Sequence, residues 1–434
     1  PAGSSCARSS TLRRCEVNRG DAAHRSAEQA ARQSYGRLLA ILSARTRDIA
    51  ASEDALHDAF ARALEHWPQD GVPAQPEAWL LQVARRRNLD AWRHAQVESA
   101  AAQTLQVLAE TLDDDAHGDG PTAVPDERLR LLFVCAHPAI DAAARAPLML
   151  QTVLGLDAAR IANAFLVAPA TLGQRLVRAK TRIRAAGIGF EYPRESDLPQ
   201  RLQDVLDGIY AAYGTGWDDV EGADASQRGL TLEAIELGRI LCALMPHEPE
   251  PLGLLALMLF CESRAHARRD AHGAYVPLDA QEPRQWSEPM RLEAEQLLAR
   301  AVRHAKLGAY QLEAAIQSAH TQRRLGADVP PQALVALYDG LMALRPSIGA
   351  QVSRACAVAA AHGAAAGLLA LDAIEASQTA SYQPYWAARA HLLGTKGEPD
   401  AARPAYARAG GLTSQPAVRA YLAQAAERLA SKGA

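Results

Sequence analysis

Apolar residues recur at three- and four-residue spacing through most of this 434-residue chain, and that spacing restricts its fold more than any other feature. It places apolar side chains on one face of an α-helix, whereas a half-buried strand needs strict alternation. Alanine is abundant and aromatic residues make up only 5% of the chain, which also favours helices. We therefore predict an all-α protein. The chain is too long to fold around a single hydrophobic core, so we expect two to three domains.

The overall composition narrows the classes of function. The formal net charge of −3 gives no global signal for nucleic acid, so any such signal must be local. The six cysteines are scattered, without a CxxC pair, which favours reduced thiols over disulfides or zinc. No apolar run reaches membrane-spanning length. We expect a cytoplasmic protein without membrane contact, and a disordered tail over residues 1–25.

The strongest local pattern lies in residues 155–184, which predict a short helix, a tight apolar turn and a basic second helix. Pro169 suits the first position of that second helix, where a missing N–H costs nothing. A buried stripe is predicted behind it, formed by Leu172, Leu176, Ala179 and Ile183. A helix-turn-helix reads DNA in this way. An ordinary helical hairpin with a solvated basic face fits the stretch equally well, and both interpretations stay open here.

Residues 26–96 predict three further helices. The second is expected over Ser52–Trp67 with Ser52 as its N-cap, and with Leu56, Ala59, Phe60 and Ala63 facing inward. That arrangement leaves Glu53, Asp54, His57 and Asp58 partly outward. The third helix, Glu77–Arg93, is expected to bury Trp79 and Leu89 and to expose Arg85, Arg86, Arg87, Trp92 and Arg93. Solvated helix faces alone would explain both charged surfaces.

The remainder of the chain predicts a linker and a helical array. Residues 97–126 are acidic and lose their apolar period, which indicates a flexible linker. Toward the C-terminus, Tyr338, Asp372 and Tyr406 recur every 34 residues, the length of a tetratricopeptide repeat. The best unit has Trp386, Ala390, Leu393, Gly397, Ala402, Tyr406 and Ala409 at the expected positions. A plain helical array without a ligand remains the alternative.

Two segments together resemble the extracytoplasmic-function (ECF) sigma factors of bacterial RNA polymerase. Residues 52–60 and 78–93 look like the family's domain two, and residues 155–184 are similar to its domain four. Residues 132–138 and the long C-terminal region resemble the subgroup that carries a tetratricopeptide-like extension. The resemblance implies region 2 over 26–96, a linker over 97–126, region 4 over 127–187 and the extension over 188–434.

The family's roles carry over to particular positions. The resemblance implies polymerase binding by Glu53, Asp54, Leu56, Asp58 and Phe60, on the second predicted helix. It implies contacts to the −10 element by Arg85, Arg86, Arg87, Trp92 and Arg93, through phosphates and base stacking. Readout of the −35 element is implied for Thr171, Gly173, Gln174 and Arg175. Phosphate contacts are implied for Arg178, Lys180 and Arg182.

Three positions depart from the family pattern. His57 stands where the family usually has Gln. Leu166 replaces the usual turn glycine, so the turn cannot rely on a left-handed glycine there. Ala168 replaces a polar N-cap, which weakens the helix start by roughly 0.5–2 kcal/mol relative to Ser.

The resulting expectation is a sigma factor that binds core RNA polymerase and promoter DNA, with the C-terminal helices regulating it and offering a surface to a protein or peptide ligand. Two rivals remain. A DNA-binding regulator or tetratricopeptide scaffold would not engage polymerase. An enzyme would use His247, His266 and His272, but their spacing fits no ligand motif. No phosphate loop or nucleophile motif occurs either. We therefore expect no enzyme activity, no metal and no cofactor.

Overall fold

The computed structural model describes residues 34–96, 127–164, 167–188, 190, 193–194, 196–218 and 225–432. Across these residues the secondary structure is helical, apart from turns and one isolated bridge between Arg269 and Tyr275. The predicted all-α fold is confirmed. The chain divides into two compact units, residues 1–240 and 241–434. The predicted tail at 1–25 and linker at 97–126 lie outside the described residues.

Nine helices are described between residues 34 and 244, and the last of them crosses the boundary between the two units. Helix α1 is described over residues 34–46. The others are α2 (Ile49–Asp70), α3 (Pro76–Gln96), α4 (Glu127–Cys135), α5 (Ala142–Leu154), α6 (Ala158–Ala164), α7 (Pro169–Ala185), α8 (Leu198–Asp218) and α9 (Ala225–Leu244).

Helices α1, α2 and α3 share one core, built around Leu39, Leu56, Trp67 and Leu80. The predicted start of α2 is wrong by one turn. Asp48, not Ser52, is the N-cap, because its carboxylate accepts the N–H of Ala51 at 3.1 Å. Ser52 lies inside the helix, where its buried hydroxyl hydrogen-bonds Thr46 Oγ1 at 2.8 Å. The helix can therefore begin at Ile49 and bury that side chain.

Helices α4 to α8 form the second half of this unit. Six of the nine residues of α4 are buried, so this short helix is covered on more than one side. Helix α7 buries Leu172, Leu176, Ala179 and Ile183, which confirms the predicted stripe. Helix α5 ends at Gly155 in the left-handed conformation (φ 66°), which reverses the chain before α6 and α7.

Helix α8 packs against α5, α4 and α6, although the sequence places it in the C-terminal extension. Gly208 lies against the side chain of Met149, so the two backbones approach closely. Arg145 binds Asp204 at 2.5 Å, which adds an ion pair between α5 and α8. The first helix after residue 188 is thus part of the same compact unit as α7. The four predicted domain boundaries remain predictions.

The second unit is a succession of helices in which consecutive members pack together. They are α10 (Pro249–Glu262), α11 (Glu288–Val302), α12 (Ala309–Arg324), α13 (Pro331–Leu344), α14 (Ile348–His362), α15 (Ala364–Asp372), α16 (Ala376–Thr379), α17 (Gln383–Lys396), α18 (Pro399–Leu412) and α19 (Pro416–Lys432). Eleven of the fourteen residues of α10 are buried, so this helix is covered on nearly all sides.

The unit at residues 383–412 is a helical hairpin of α17 and α18. Ala390, Ala402 and Ala409 are fully buried, and these small side chains let the two helices approach. Gly397 ends α17 with φ 90°, and Gly363, 34 residues earlier, separates α14 from α15 with φ 91°. Helix α15 stops at Asp372, where the repeat pattern lacks its aromatic residue. Assignment to the tetratricopeptide class remains a prediction.

Candidate nucleic-acid interface

The N-terminal turn of α7 carries the residues predicted to read bases. Thr171 and Gln174 are exposed, whereas Gly173 and Arg175 are partly buried. Ala168 is the N-cap, and no side chain caps the helix there, while Pro169 occupies the first turn as predicted. Leu166 lies outside the described residues. Of the four residues predicted to read bases, Thr171 and Gln174 are therefore the most accessible.

The remaining basic side chains of α7 fall into two environments. Arg178 and Arg182 are exposed, as phosphate contacts require. Lys180 differs, because only 12% of its side chain is exposed and its Nζ donates to Glu53 Oε2 at 2.5 Å. Arg184 also contacts the first helices, at 3.6 Å from the Asp48 carboxylate. Lys180 and Arg184 thus contact the first helices, whereas Arg178 and Arg182 face solvent.

On α2, the acidic surface is smaller than predicted. Asp54 and His57 are exposed, but Glu53 is buried with 9% of its surface accessible, so its predicted outward orientation is wrong. The cause is the contact with Lys180, which draws the carboxylate inward. Leu56 is fully buried and Phe60 packs partly against the core, so both hold the helix in place from behind.

Helix α3 carries the predicted −10 surface. Arg85, Arg86 and Arg87 are exposed, and Arg87 Nε donates to Asp58 Oδ2 at 2.7 Å. Partial burial, with repulsion from Arg45 as a second cause, lowers the pKa of the Arg85 guanidinium. The side chains of Trp92 and Arg93 lie outside the described residues. As consecutive residues of a helix, the three arginines point in different directions around its axis, and all three are accessible to solvent.

Two apolar predictions on α3 had different outcomes. Trp79 packs edge-on against Trp67 with ring centroids 5.5 Å apart, which confirms its core assignment. Leu89 is 49% exposed, so its predicted inward orientation is wrong. It lies beyond Ala84, the last described α3 residue that is fully buried in this core.

Helices α1 and α2 also contact the α5–α7 segment directly. Gly36 packs against the carbonyl of Val153, and a Cβ atom on Gly155 would lie 2.9 Å from the ring of Tyr35. Burial of Tyr35, with the nearby Glu53 and Asp54 carboxylates as further causes, raises the pKa of its phenol. No pattern in the sequence indicates this contact between α1 and the α5–α7 segment.

A buried thiol lies close to the Glu53–Lys180 ion pair. Burial raises the pKa of Cys135 to about 12, against smaller opposing effects from a contact with Thr152 and from the Lys180 charge. Cys135 Sγ lies 3.5 Å from Thr152 Oγ1. This thiol therefore stays protonated and behaves as a small packing residue.

No helix in the described part of the chain is long and apolar enough to cross a membrane. Among the same residues, no group of three or more His, Cys, Asp and Glu side chains is arranged to hold a metal ion.

Two family models and one sigma factor match separate parts of the chain. Residues 31–97 match the family model of sigma-70 region 2, and residues 201–302 match a family of unknown function, DUF6596. A probable RNA polymerase sigma factor, RfaY, of Xanthomonas campestris is 31% identical over 163 residues, which cover 35% of this chain and 40% of that protein. No solved structure matches the chain.

The helices α1–α3 therefore form a sigma-70 region 2, and this part of the chain is of the sigma-70 superfamily. The chain as a whole belongs to the family of a Rhizobium meliloti protein, the uncharacterized protein R00370. The two are 37% identical over 407 residues, which cover 93% of this chain and 94% of that protein.

Proposed function

We propose that this protein is an RNA polymerase sigma factor of the extracytoplasmic-function type, acting in the cytoplasm. The observation that carries the proposal is the match of residues 31–97 to sigma-70 region 2, on helices that expose three consecutive arginines. The helices α6 and α7, which would form the helix-turn-helix of region 4, follow it in the order that the family requires. The protein would bind core polymerase and direct it to a small set of promoters.

The two DNA contacts would divide the work of promoter recognition. Arg85, Arg86 and Arg87 on α3 would bind the −10 region through phosphates, with Trp92 and Arg93 further along the same helix. On α7, Thr171, Gly173, Gln174 and Arg175 would meet base edges of the −35 element. Joined on one polymerase, two weak contacts gain from the high effective concentration of the second.

The polymerase contact would use the exposed part of α2. Asp54 is accessible, and Asp58 is about half exposed beside Arg87. Acidic side chains suit a basic partner surface, where complementary charge speeds and orients association. Leu56 and Phe60 would support this contact by fixing the helix.

The second compact unit would regulate this activity. Its repeated helical hairpins would present a surface to a protein or peptide ligand, as helical-repeat arrays do. Ligand binding there would alter the activity of the helices that engage polymerase and DNA.

Charge reversal on α2 tests the polymerase contact. We expect Asp54→Lys to weaken binding to bacterial core polymerase by roughly tenfold, because an attractive pair becomes repulsive. Run-off transcription from a promoter identified by start-site mapping should fall equally. Asp70→Lys is the matched control, since it is exposed near the end of the same helix. Wild-type binding and transcription by Asp54→Lys would contradict the assignment and favour a regulator that does not engage polymerase.

A further inference from the structure

One ion pair joins the two surfaces that the proposed function assigns to different partners. Glu53 belongs to the polymerase-binding set on α2, and Lys180 to the phosphate-binding set on α7. Lys180 Nζ donates to Glu53 Oε2 at 2.5 Å, and each side chain is only 12% exposed. While this contact exists, the carboxylate cannot meet polymerase and the ammonium cannot meet DNA.

The ion pair is part of a wider docked contact. Gly36 of α1 packs against the Val153 carbonyl at the end of α5, with no space for a side chain. Tyr35 covers Gly155, the residue that ends α5. The Arg184–Asp48 pair is more exposed, with 64% and 23% of the side chains accessible, so it contributes little. The buried Glu53–Lys180 pair is therefore the main electrostatic contact in this docking.

The pair is specific but easily opened. Removing two charges from water offsets much of their mutual attraction, so an intact buried pair adds little net stability. In addition, Glu53 Oε1 is buried without a hydrogen-bond partner among the described residues. When the contact opens, both charges and this oxygen regain water. Removal of one partner acts differently, since it leaves an uncompensated charge in the docked state.

We propose that the Glu53–Lys180 pair is a latch that holds α2 and α7 together in a closed state, which opens when the protein engages polymerase. The inference rests on the proposed function. Because polymerase on α2 and DNA on α7 would both favour the open state, each would increase the affinity for the other. The apparent affinity of the free protein for either partner is the affinity of the open state multiplied by the fraction of molecules that are open.

A substitution on the DNA-binding helix tests the latch through polymerase affinity. We expect Lys180→Met to tighten core polymerase binding by roughly tenfold, because the closed state then contains an unpaired buried carboxylate. Thr181→Met is the matched control: it introduces the same side chain at an exposed position of the same helix and should leave polymerase affinity unchanged. A Lys180→Met protein that binds polymerase no more tightly than the wild type or the control overturns the latch.

Hydrogen exchange gives a readout that does not depend on polymerase. Peptides covering residues 34–40 and 150–156 should exchange faster in Lys180→Met than in the wild type or Thr181→Met. The charge-swapped double variant, Glu53→Lys with Lys180→Glu, should return exchange toward the wild-type rate. Unchanged exchange in Lys180→Met overturns the latch. Unchanged exchange over residues 56–63 of α2 and 202–209 of α8, which are buried in the same unit as Lys180, shows that the variant is folded. If the wild type does not bind core polymerase, the proposed function fails, and exchange alone decides on the latch.

Discussion

On α2 and α7, substitution of an exposed residue tests a binding surface, whereas substitution of a buried residue tests the packing of the core. Asp54, Gln174 and Arg178 face solvent, so changing them alters a binding surface with little effect on packing. Leu56 is fully buried, and truncating it would disturb the core of the first three helices before it affected any partner. Gly173 lies inside α7, and a side chain added there would project into open space. Its substitution can therefore change both helix stability and the binding surface.

Gly173→Ala separates helix stability from DNA contact. A methyl group there would meet no protein atom within 4 Å, and alanine stabilises a helix by roughly 0.5–1 kcal/mol relative to glycine. We expect a higher free energy of unfolding by urea titration. If the backbone of α7 approaches DNA at this point, affinity for −35 DNA should fall at the same time. Gly410→Ala in α18, where the nearest atom is 3.9 Å away, should stabilise the protein without changing DNA binding.

Individual helices were predictable where one periodic face decided their burial. The stripe of α7 follows from its own spacing, and Trp79 was correctly placed in the core. The start of α2 was missed, although Asp48 stands directly before the apolar Ile49 and could have been recognised as a cap. Leu89 was missed because the core of α1–α3 does not reach it, and only the packed helices show where that core ends.

The start of α7 is open to improvement. Ala168 has the extended backbone of an N-cap, with φ −66° and ψ 135°, but supplies no acceptor for the first N–H groups. We expect Ala168→Ser to raise the free energy of unfolding by about 0.5–2 kcal/mol. Ala168→Val is the control, since its side chain has no acceptor and should give no gain. Equal urea midpoints for the two variants would mean that no cap forms at this position.

At the scale of the whole molecule, the contact between the first three helices and the α5–α7 segment was beyond prediction. Glu53 and Lys180 are 127 residues apart, and each has an adequate local explanation as an exposed charge on an amphipathic helix. The packing of α1 on the end of α5, at Gly36 and Val153, places them near each other. The same holds for α8, whose amphipathic pattern does not indicate which helices it will cover.

Truncation should reveal where the first unit ends. Helix α8 buries Leu202, Val205, Leu206 and Ile209, and each such side chain contributes roughly 1.5–3 kcal/mol. Their sum is comparable to the whole stability of a domain, about 5–15 kcal/mol. We expect a chain ended after residue 195 to lose cooperative thermal unfolding, and one ended after Leu244 to keep it. Calorimetry checks this, and equal transitions in both would show that α8 is dispensable.

The docking of Gly36 on Val153, beside the paired Glu53 and Lys180, also limits how family members can be recombined. A hybrid that joins the first three helices of one member to the later helices of another inherits this junction from two parents. If either parent has a larger residue at 36 or a different charge at 53 or 180, the two halves no longer match. Within this family, these two segments are therefore expected to be inherited, and exchanged in the laboratory, as a matched set.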